Sequence, residues 1–234
     1  MKRERYEISP IAHIYTDFSE KFGIPRQSGL VEGLIGKIVF EPEYASVEAI
    51  KGLEEYSHIW LIWQFSEVIK NQKEKQPFKA TVRPPRLGGN THMGVFATRS
   101  PFRPNGLGLS CVALDKIEIS AKKEPIIWVR GVDMLDGTPI YDIKPYLPYV
   151  DKKENAKGGF AEQVKDYALK VSWEDGVKNH FPEEKWEALI EVLASDPRPS
   201  YQKDDTRIYG MKFAGYEIKF RVEEETVRVL ACKK

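Results

Sequence analysis

The sequence predicts a mainly β protein, with an antiparallel sheet or barrel in its first two thirds and a small α+β unit after it. Three observations lead to this prediction. Short β-branched and aromatic segments recur up to residue 134, a charged stretch interrupts them near residue 151, and one amphipathic helix and one hairpin follow. A chain of 234 residues has the length of one main domain with a modest appendage.

Five segments carry the strand signal in the first part of the chain. β-branched and aromatic residues favour extended backbone, and Gly, Pro, Asn or Asp bounds each segment. Between the first two segments, Val47, Ile50 and Leu53 have the spacing of one or two helical turns closed near Gly52, which predicts a short helix on the sheet. The predicted strands are 31–40, 58–65, 93–98, 109–119 and 126–134.

The predicted domain boundary lies at DKKENAKGGF, which has the charged, glycine-bearing composition of a linker. It divides the chain into a β domain at 1–150, a linker at 151–160 and an α+β domain at 161–234. In the last of these, residues 182–195 begin with proline and acidic residues and repeat large apolar residues on one face, as in a helix. Apolar and charged residues then alternate in YEIKFRV and VRVLACK, which predicts a two-stranded hairpin.

The composition excludes several classes of protein. Lysine and arginine total 36 against 35 acidic residues, so any polyanion has to bind a local patch rather than a globally basic surface. No apolar run approaches 18 residues, and Cys111 and Cys232 are far apart, which predicts a soluble cytoplasmic protein with reduced thiols and no membrane span. The histidines lack metal-ligand spacing, so no metal site is expected and each is interpreted as structural rather than as a metal ligand: His13, His58, His92 and His180.

Positive charge is concentrated around GVFATRSPFRPNGLGLS, residues 94–110. Residues 80–114 contain no Asp or Glu but four arginines, and nearby prolines and glycines fix turns and permit close backbone approach. This pattern favours an anionic ligand, although ion pairs with acidic residues elsewhere are the alternative. The GLG at 106–108 lacks the third glycine and the helix of a dinucleotide-binding turn. A second polar stretch, 133–151, contains carboxylates that either form solvated turns or hold ligand hydroxyls or an amine.

These stretches resemble the TrmO family of S-adenosylmethionine-dependent tRNA methyltransferases. The resemblance rests on residues 83–110 and 136–151, with shorter matches at 20–30 and 196–202. It implies a β-barrel methyltransferase outside the Rossmann class, which forms a homodimer and has a small C-terminal domain. It also implies the reaction, methylation of N6 of threonylcarbamoyl-adenosine at position 37, in the anticodon loop of a threonine tRNA.

The resemblance also implies a site for S-adenosylmethionine. In that site, Asp133 is expected to accept hydrogen bonds from ribose hydroxyls, and Arg99 is expected to meet the carboxylate of the cofactor. Ser28 stands where the family often has proline, and His92 where it commonly has arginine. The implied cofactor-binding residues are Gln27, Ser28, Gly29, Ser66, Glu67, Arg99, Leu109, Arg130, Gly131, Val132 and Asp133.

Further roles follow for the RNA and for the chemical step. Residues assigned to the tRNA surface are Arg83, Arg86, His92 and Arg103. The substrate nitrogen has to lose a proton, and the candidates to assist are Asp133, Asp142 and Lys144. Tyr146 and Tyr149 either stack on a splayed base or pack in the core. A non-catalytic RNA-binding module and a methyltransferase of the same fold that acts on a small metabolite are the alternative functions.

Overall fold

The computed structural model describes residues 4, 6–65, 78–84, 87, 90–164, 167–198 and 204–234. Two α-helices lie in these ranges, α1 (Pro148–Asp151) and α2 (Trp186–Ala194). Short 3-10 helices cover Val47–Ile50, Leu53–Glu55, Val95–Ala97, Gly159–Val164, Val177–His180 and Glu183–Lys185. The strands are β1 (Ala12–Tyr15), β2 (Ile35–Phe40), β3 (His58–Gln64), β4 (Thr81–Val82), β5 (Met93–Gly94), β6 (Leu107–Ile119), β7 (Pro125–Arg130), β8 (Thr138–Pro145), β9 (Lys170–Trp173), β10 (Tyr209–Phe213), β11 (Tyr216–Glu223) and β12 (Thr226–Lys233).

Six strands form a closed antiparallel barrel in the order β1-β2-β7-β6-β3-β8. Because side chains alternate along a strand, β3 buries Ile59, Leu61 and Trp63 inside the barrel and turns Trp60 and Ile62 outward. The predicted mainly β class, with a barrel and short helices, is confirmed. Within the described residues, no helix has the length and apolar character needed to cross a membrane.

Several predicted segments were wrong in detail, for local reasons. Of 93–98, only Met93–Gly94 is strand, because the Val95 N–H bonds the Ala80 carbonyl at 2.9 Å and the chain then forms a 3-10 turn. The strand predicted to reach 134 ends at Arg130, where Gly131 turns the chain at φ +77°. The predicted helix near Gly52 is a pair of 3-10 turns. The sequence interpretation missed β1, β4, β8, β9 and β10.

A second, four-stranded sheet has the order β10-β11-β12-β9, in which β9 is parallel to β12. It packs against the loop between β1 and β2, where the rings of Phe18 and Phe213 lie 5.2 Å apart. In the 3-10 turn before α2, the Lys185 ammonium pairs with Asp17 of the same loop at 2.6 Å. The predicted helix and hairpin are present as α2 and β11–β12. The barrel and this sheet therefore share a hydrophobic core that runs beneath the β1–β2 loop.

Candidate cofactor site

Two backbone segments meet at one end of the barrel, and we call the first of them, residues 27–29, the cofactor turn. The Gly29 N–H donates to the Gly131 carbonyl at 2.9 Å, and the Gly131 N–H donates to the Leu34 carbonyl at 2.9 Å. Gly131 has φ +77°, and a Cβ atom there would lie 3.2 Å from the Cα of Gly29. The close approach of the two segments therefore requires glycine at position 131.

Ser28 ties the cofactor turn to the barrel wall. Its Oγ accepts a hydrogen bond of 3.1 Å from the backbone N–H of Cys111, in β6. The proline that the family often has at this position cannot make that bond, because it carries no hydroxyl. The residue that departs from the family pattern therefore has a structural role of its own.

Asp133 follows β7 and turns its carboxylate toward β6. Its Oδ1 accepts a hydrogen bond of 2.6 Å from Ser110, whose Oγ in turn accepts one of 2.9 Å from the Trp63 indole N–H. Burial raises the pKa of Asp133 to about 6, against the lowering effects of the Ser110 hydroxyl, the backbone N–H groups of Asp133 and Ser28, and the charge of Arg99. At neutral pH the carboxylate is mostly ionised and acts as an acceptor.

Arg99 supplies a positive charge beside the same turn. It is exposed, and its Nη1 donates to the side-chain carbonyl of Gln27. A guanidinium, a buried carboxylate and the backbone of a tight turn suit a small ligand that has both hydroxyl or amine donors and a carboxylate. S-adenosylmethionine has these groups, so the residues present fit it.

Other implied cofactor residues direct their side chains elsewhere. Arg130 pairs with Asp115 at 3.2 Å, and Val132 is buried in the barrel, so both offer the cofactor only their backbone. Leu109 is 53% exposed on the outer face of β6. Three residues assigned from the sequence lie outside the described ranges: Ser66, Glu67 and Arg86.

The structure separates the three candidate catalytic residues. Asp142 and Lys144 form an ion pair of 3.0 Å on β8. Asp142 lies opposite Ile62 of β3, and Ile62 lies opposite Leu109 of β6, so the three form a row on the outer face. Two strand spacings, about 10 Å, separate the ends of this row. Asp133 instead accepts a hydrogen bond from Ser110, which lies on the inner face of β6.

The residues assigned to RNA also differ in setting. On the hairpin that β4 and β5 form, Arg83 donates to His92 Nε2 at 3.1 Å, and both side chains are exposed. Arg103 is half-buried and donates to the Thr98 carbonyl at 3.0 Å. Tyr146 packs against Trp60 with ring centroids 5.9 Å apart, whereas Tyr149 is 84% exposed.

The sequence interpretation missed two groups of residues. Ser110 and Trp63 lie inside the barrel, where the available signal was a polar residue at an inward position of an alternating strand. Phe78 and Phe96 are exposed and in ring contact, with centroids 6.0 Å apart. Across the described part of the chain, no cluster of His, Cys, Asp and Glu has the arrangement of a metal site.

The fold is a closed antiparallel barrel, which is outside the Rossmann class, and a turn with hydrogen-bond donors and acceptors lies at one end of it. The model of the tRNA-methyltransferase O N-terminal domain matches residues 13–152, and that of the TrmO C-terminal domain matches 166–234. The chain belongs to the tRNA-methyltransferase O family.

Individual relatives match along nearly the whole chain. The tRNA (adenine(37)-N6)-methyltransferase of Escherichia coli K12 is 36% identical over 236 residues, which covers 97% of this chain and 98% of that protein. A Pseudomonas aeruginosa protein with the provisional name S-adenosylmethionine-dependent methyltransferase is 38% identical over 96% of both chains. The crystal structure of TrmO from Pseudomonas aeruginosa superposes with a TM-score of 0.79 at 32% identity, covering 99% of each chain.

Proposed function

We propose that the protein methylates N6 of adenosine 37 in tRNA with S-adenosylmethionine, and that this adenosine carries a threonylcarbamoyl group, as in a threonine tRNA. The enzyme class and cofactor are those of the family and its named relatives. One observation carries the proposal for the site, namely the meeting of Ser28, Arg99 and Asp133 at one end of the barrel. The site adjoins the acid-free segment 80–114, whose charge suits RNA.

The cofactor-binding roles follow from the chemistry of each group. The backbone of the cofactor turn borders the ligand, Asp133 accepts hydrogen bonds from its hydroxyl or amine groups, and Arg99 pairs with its carboxylate. When bound, S-adenosylmethionine supplies a methyl group activated by a sulfonium. Since the leaving group is already good, the protein contributes chiefly by orienting the two reactants.

We assign Asp142 as the group that accepts the proton released from N6. N6 of a carbamoylated adenosine lies between the ring and a carbonyl, so it is a weak nucleophile whose N–H is comparatively acidic. As N6 gains the methyl group it gives up this proton, and a carboxylate at hydrogen-bond distance assists. Asp142 shares the outer row with Leu109, a residue implied in cofactor binding, and its carboxylate lies 3.0 Å from the Lys144 ammonium.

Methyl transfer to two pools of tRNA, from cells with and without the threonylcarbamoyl modification, tests the proposed substrate. With labelled S-adenosylmethionine and nucleoside mass spectrometry, we expect methyl only on the modified adenosine. Equal transfer to both pools would contradict the requirement for the carbamoyl group. Cofactor binding without transfer to either pool would favour a small-metabolite methyltransferase, and tRNA binding without cofactor binding would favour an RNA-binding module.

Two isosteric substitutions test the division of roles between the carboxylates. Asp133→Asn should weaken cofactor binding about tenfold or more, because a charged hydrogen-bond acceptor is lost. Asp142→Asn should leave the cofactor Kd unchanged and lower kcat by about 100-fold, as expected for a proton acceptor. Calorimetric titration with S-adenosylmethionine and single-turnover rates on modified tRNA measure the two effects. Identical defects in both variants would refute the separation.

The same proposal includes a cytoplasmic homodimer. Four large apolar side chains of the segment 78–109 are exposed, which is typical of a surface that a partner covers. A second copy of the chain is the occupant that we assign, and Phe96→Ser should lower the mass measured by light scattering to that of a monomer. If the protein is monomeric before substitution, the dimer is wrong. The exposed residues are Phe78 (59%), Phe96 (71%), Phe102 (61%) and Leu109 (53%).

A further inference from the structure

A chain of hydrogen bonds runs from the barrel interior to the Asp133 carboxylate, and its direction is fixed. The indole N–H of Trp63 can only donate, so the Ser110 oxygen accepts from it at 2.9 Å. The single hydrogen of the Ser110 hydroxyl is then free to go to Asp133 Oδ1, at 2.6 Å. Each donor therefore polarises the next bond toward the carboxylate.

The two donors are held in place by packing. Trp63 is 5% exposed, its ring lies 4.3 Å from that of Phe65, and it covers Gly108 so closely that a Cβ atom there would be 2.3 Å from the indole. Ser110 is 1% exposed. Because both side chains are buried and already bonded in the ligand-free protein, the hydrogen bonds exist before any ligand arrives.

The Ser110 hydroxyl has two partners, one in the core and one at the cofactor turn. The inward neighbours of Ser110 along β6 are Gly108 and Val112, and the hydroxyl satisfies the buried indole N–H of Trp63, which an alanine at position 110 would leave without that acceptor. Burying a hydroxyl is unfavourable unless it is hydrogen-bonded, and here both of its bonds lie on the path to Asp133. The bond to Asp133 therefore connects the Ser110 hydroxyl to the cofactor turn.

We propose that Ser110 and Trp63 are positioning residues, which hold the Asp133 carboxylate in one orientation at the cofactor turn. This inference rests on the proposed assignment of Asp133 to cofactor binding. Burial favours the protonated acid, and a protonated oxygen donates where the ligand needs an acceptor. The Ser110 hydroxyl, two backbone N–H groups and the charged Arg99 oppose this effect, while burial raises the pKa of the Cys111 thiol in β6 and keeps it uncharged.

Measuring the cofactor Kd between about pH 5 and pH 8.5 tests the proposal, because the effect of Ser110 on an acid depends on pH. Affinity of the unsubstituted protein should fall as the pH drops through about 6. Ser110→Ala should move this midpoint upward by about one unit, which makes binding about fivefold weaker near pH 6, about tenfold weaker near pH 5 and only slightly weaker at pH 8.5. Trp63→Phe should give a smaller shift in the same direction, and Ser110→Thr, which keeps the hydroxyl, should shift it least.

Controls separate this role from a general effect on folding. Ser195→Ala removes a hydroxyl that donates to the Val192 carbonyl in the C-terminal domain, and it should leave the midpoint unchanged. Thermal unfolding of each variant checks that the fold is intact. A pH-independent loss of affinity in Ser110→Ala, or no loss, overturns the positioning role. If Asp133→Asn binds the cofactor normally, the failure lies instead in the assignment of Asp133.

Discussion

The cofactor turn and the hairpin of β4 and β5 are both polar, but they are built differently. At the cofactor turn, Ser28 is bonded to a barrel strand and Asp133 to a buried hydroxyl, so the groups are fixed by the core. On the hairpin, Arg83 and His92 are exposed and bond each other. A small ligand with several functional groups requires fixed partners, whereas a phosphate backbone is attracted by charge that need not be rigid.

The largest contrast is expected from adding one methyl group in each region. A Cβ atom on Gly108 would lie 2.3 Å from the Trp63 ring, while Gly94, in β5, has nothing within 4 Å of that position. Gly108→Ala should therefore lower the free energy of unfolding by about 3 kcal/mol and displace the indole from Ser110. Gly94→Ala should change it by less than about 0.5 kcal/mol. Urea denaturation of both variants measures this, and similar losses would mean that the two regions are equally packed.

A smaller effect concerns the energetic cost of the buried carboxylate. Because burial raises the pKa of Asp133 from 3.8 to about 6, the folded protein binds more protons than the unfolded chain between these values. Stability should therefore be greater near pH 4 and decline as the pH rises to about 6. Asp133 remains partly open to solvent, so Asp133→Asn should stabilise the cofactor-free protein by about 1–2 kcal/mol at pH 7.5.

Chemical denaturation at pH 4 and pH 7.5 checks this effect of Asp133. The two proteins should be closer in stability at the lower pH, where the aspartate is protonated in the folded protein and only a little more than half ionised in the unfolded chain. An Asn variant that is no more stable at pH 7.5 would mean that the carboxylate is well solvated. A gain in stability together with weaker cofactor binding would be a trade-off between the two properties at one residue.

The sequence predicted the elements in which local preference and burial agree. β3 and β6 alternate apolar and polar residues and were found within two residues of their bounds, as was the β11–β12 hairpin, whereas α2 begins four residues later than predicted, at Trp186. β8 was missed because its two prolines and its one aspartate are typical of turns, although its pairing with β1 and β3 closes the barrel. Residues 138–145 form a strand because they pair with β1 and β3, which are distant in the sequence, and a local pattern cannot show this pairing.

The candidate site was predictable only in part, for a related reason. Family resemblance identified Asp133 and Arg99, since both lie in or beside recognisable motifs. Ser110 also lies in such a motif, yet its partner Trp63 is 47 residues away along the chain. Likewise, no spacing rule could place Asp142 on the outer row and Asp133 beside the inner face, because Asp133 follows the turn at Gly131 and the face of Asp142 depends on its pairing with Ile62 of β3.

The smallest effect is expected on the hairpin. Arg83→Ala removes one exposed charge, so it should weaken tRNA binding by about three- to tenfold and reduce the slope of log K against log salt by about 1. Lys122→Ala is a matched control, since the exposed β6–β7 turn that carries Lys122 is at the opposite end of β7 from the cofactor site. Filter binding at several salt concentrations measures both variants. Arg83 bonds His92 on the hairpin, so the cofactor Kd should stay unchanged in Arg83→Ala. A higher cofactor Kd in this variant would mean that the hairpin and the cofactor turn are coupled rather than separate.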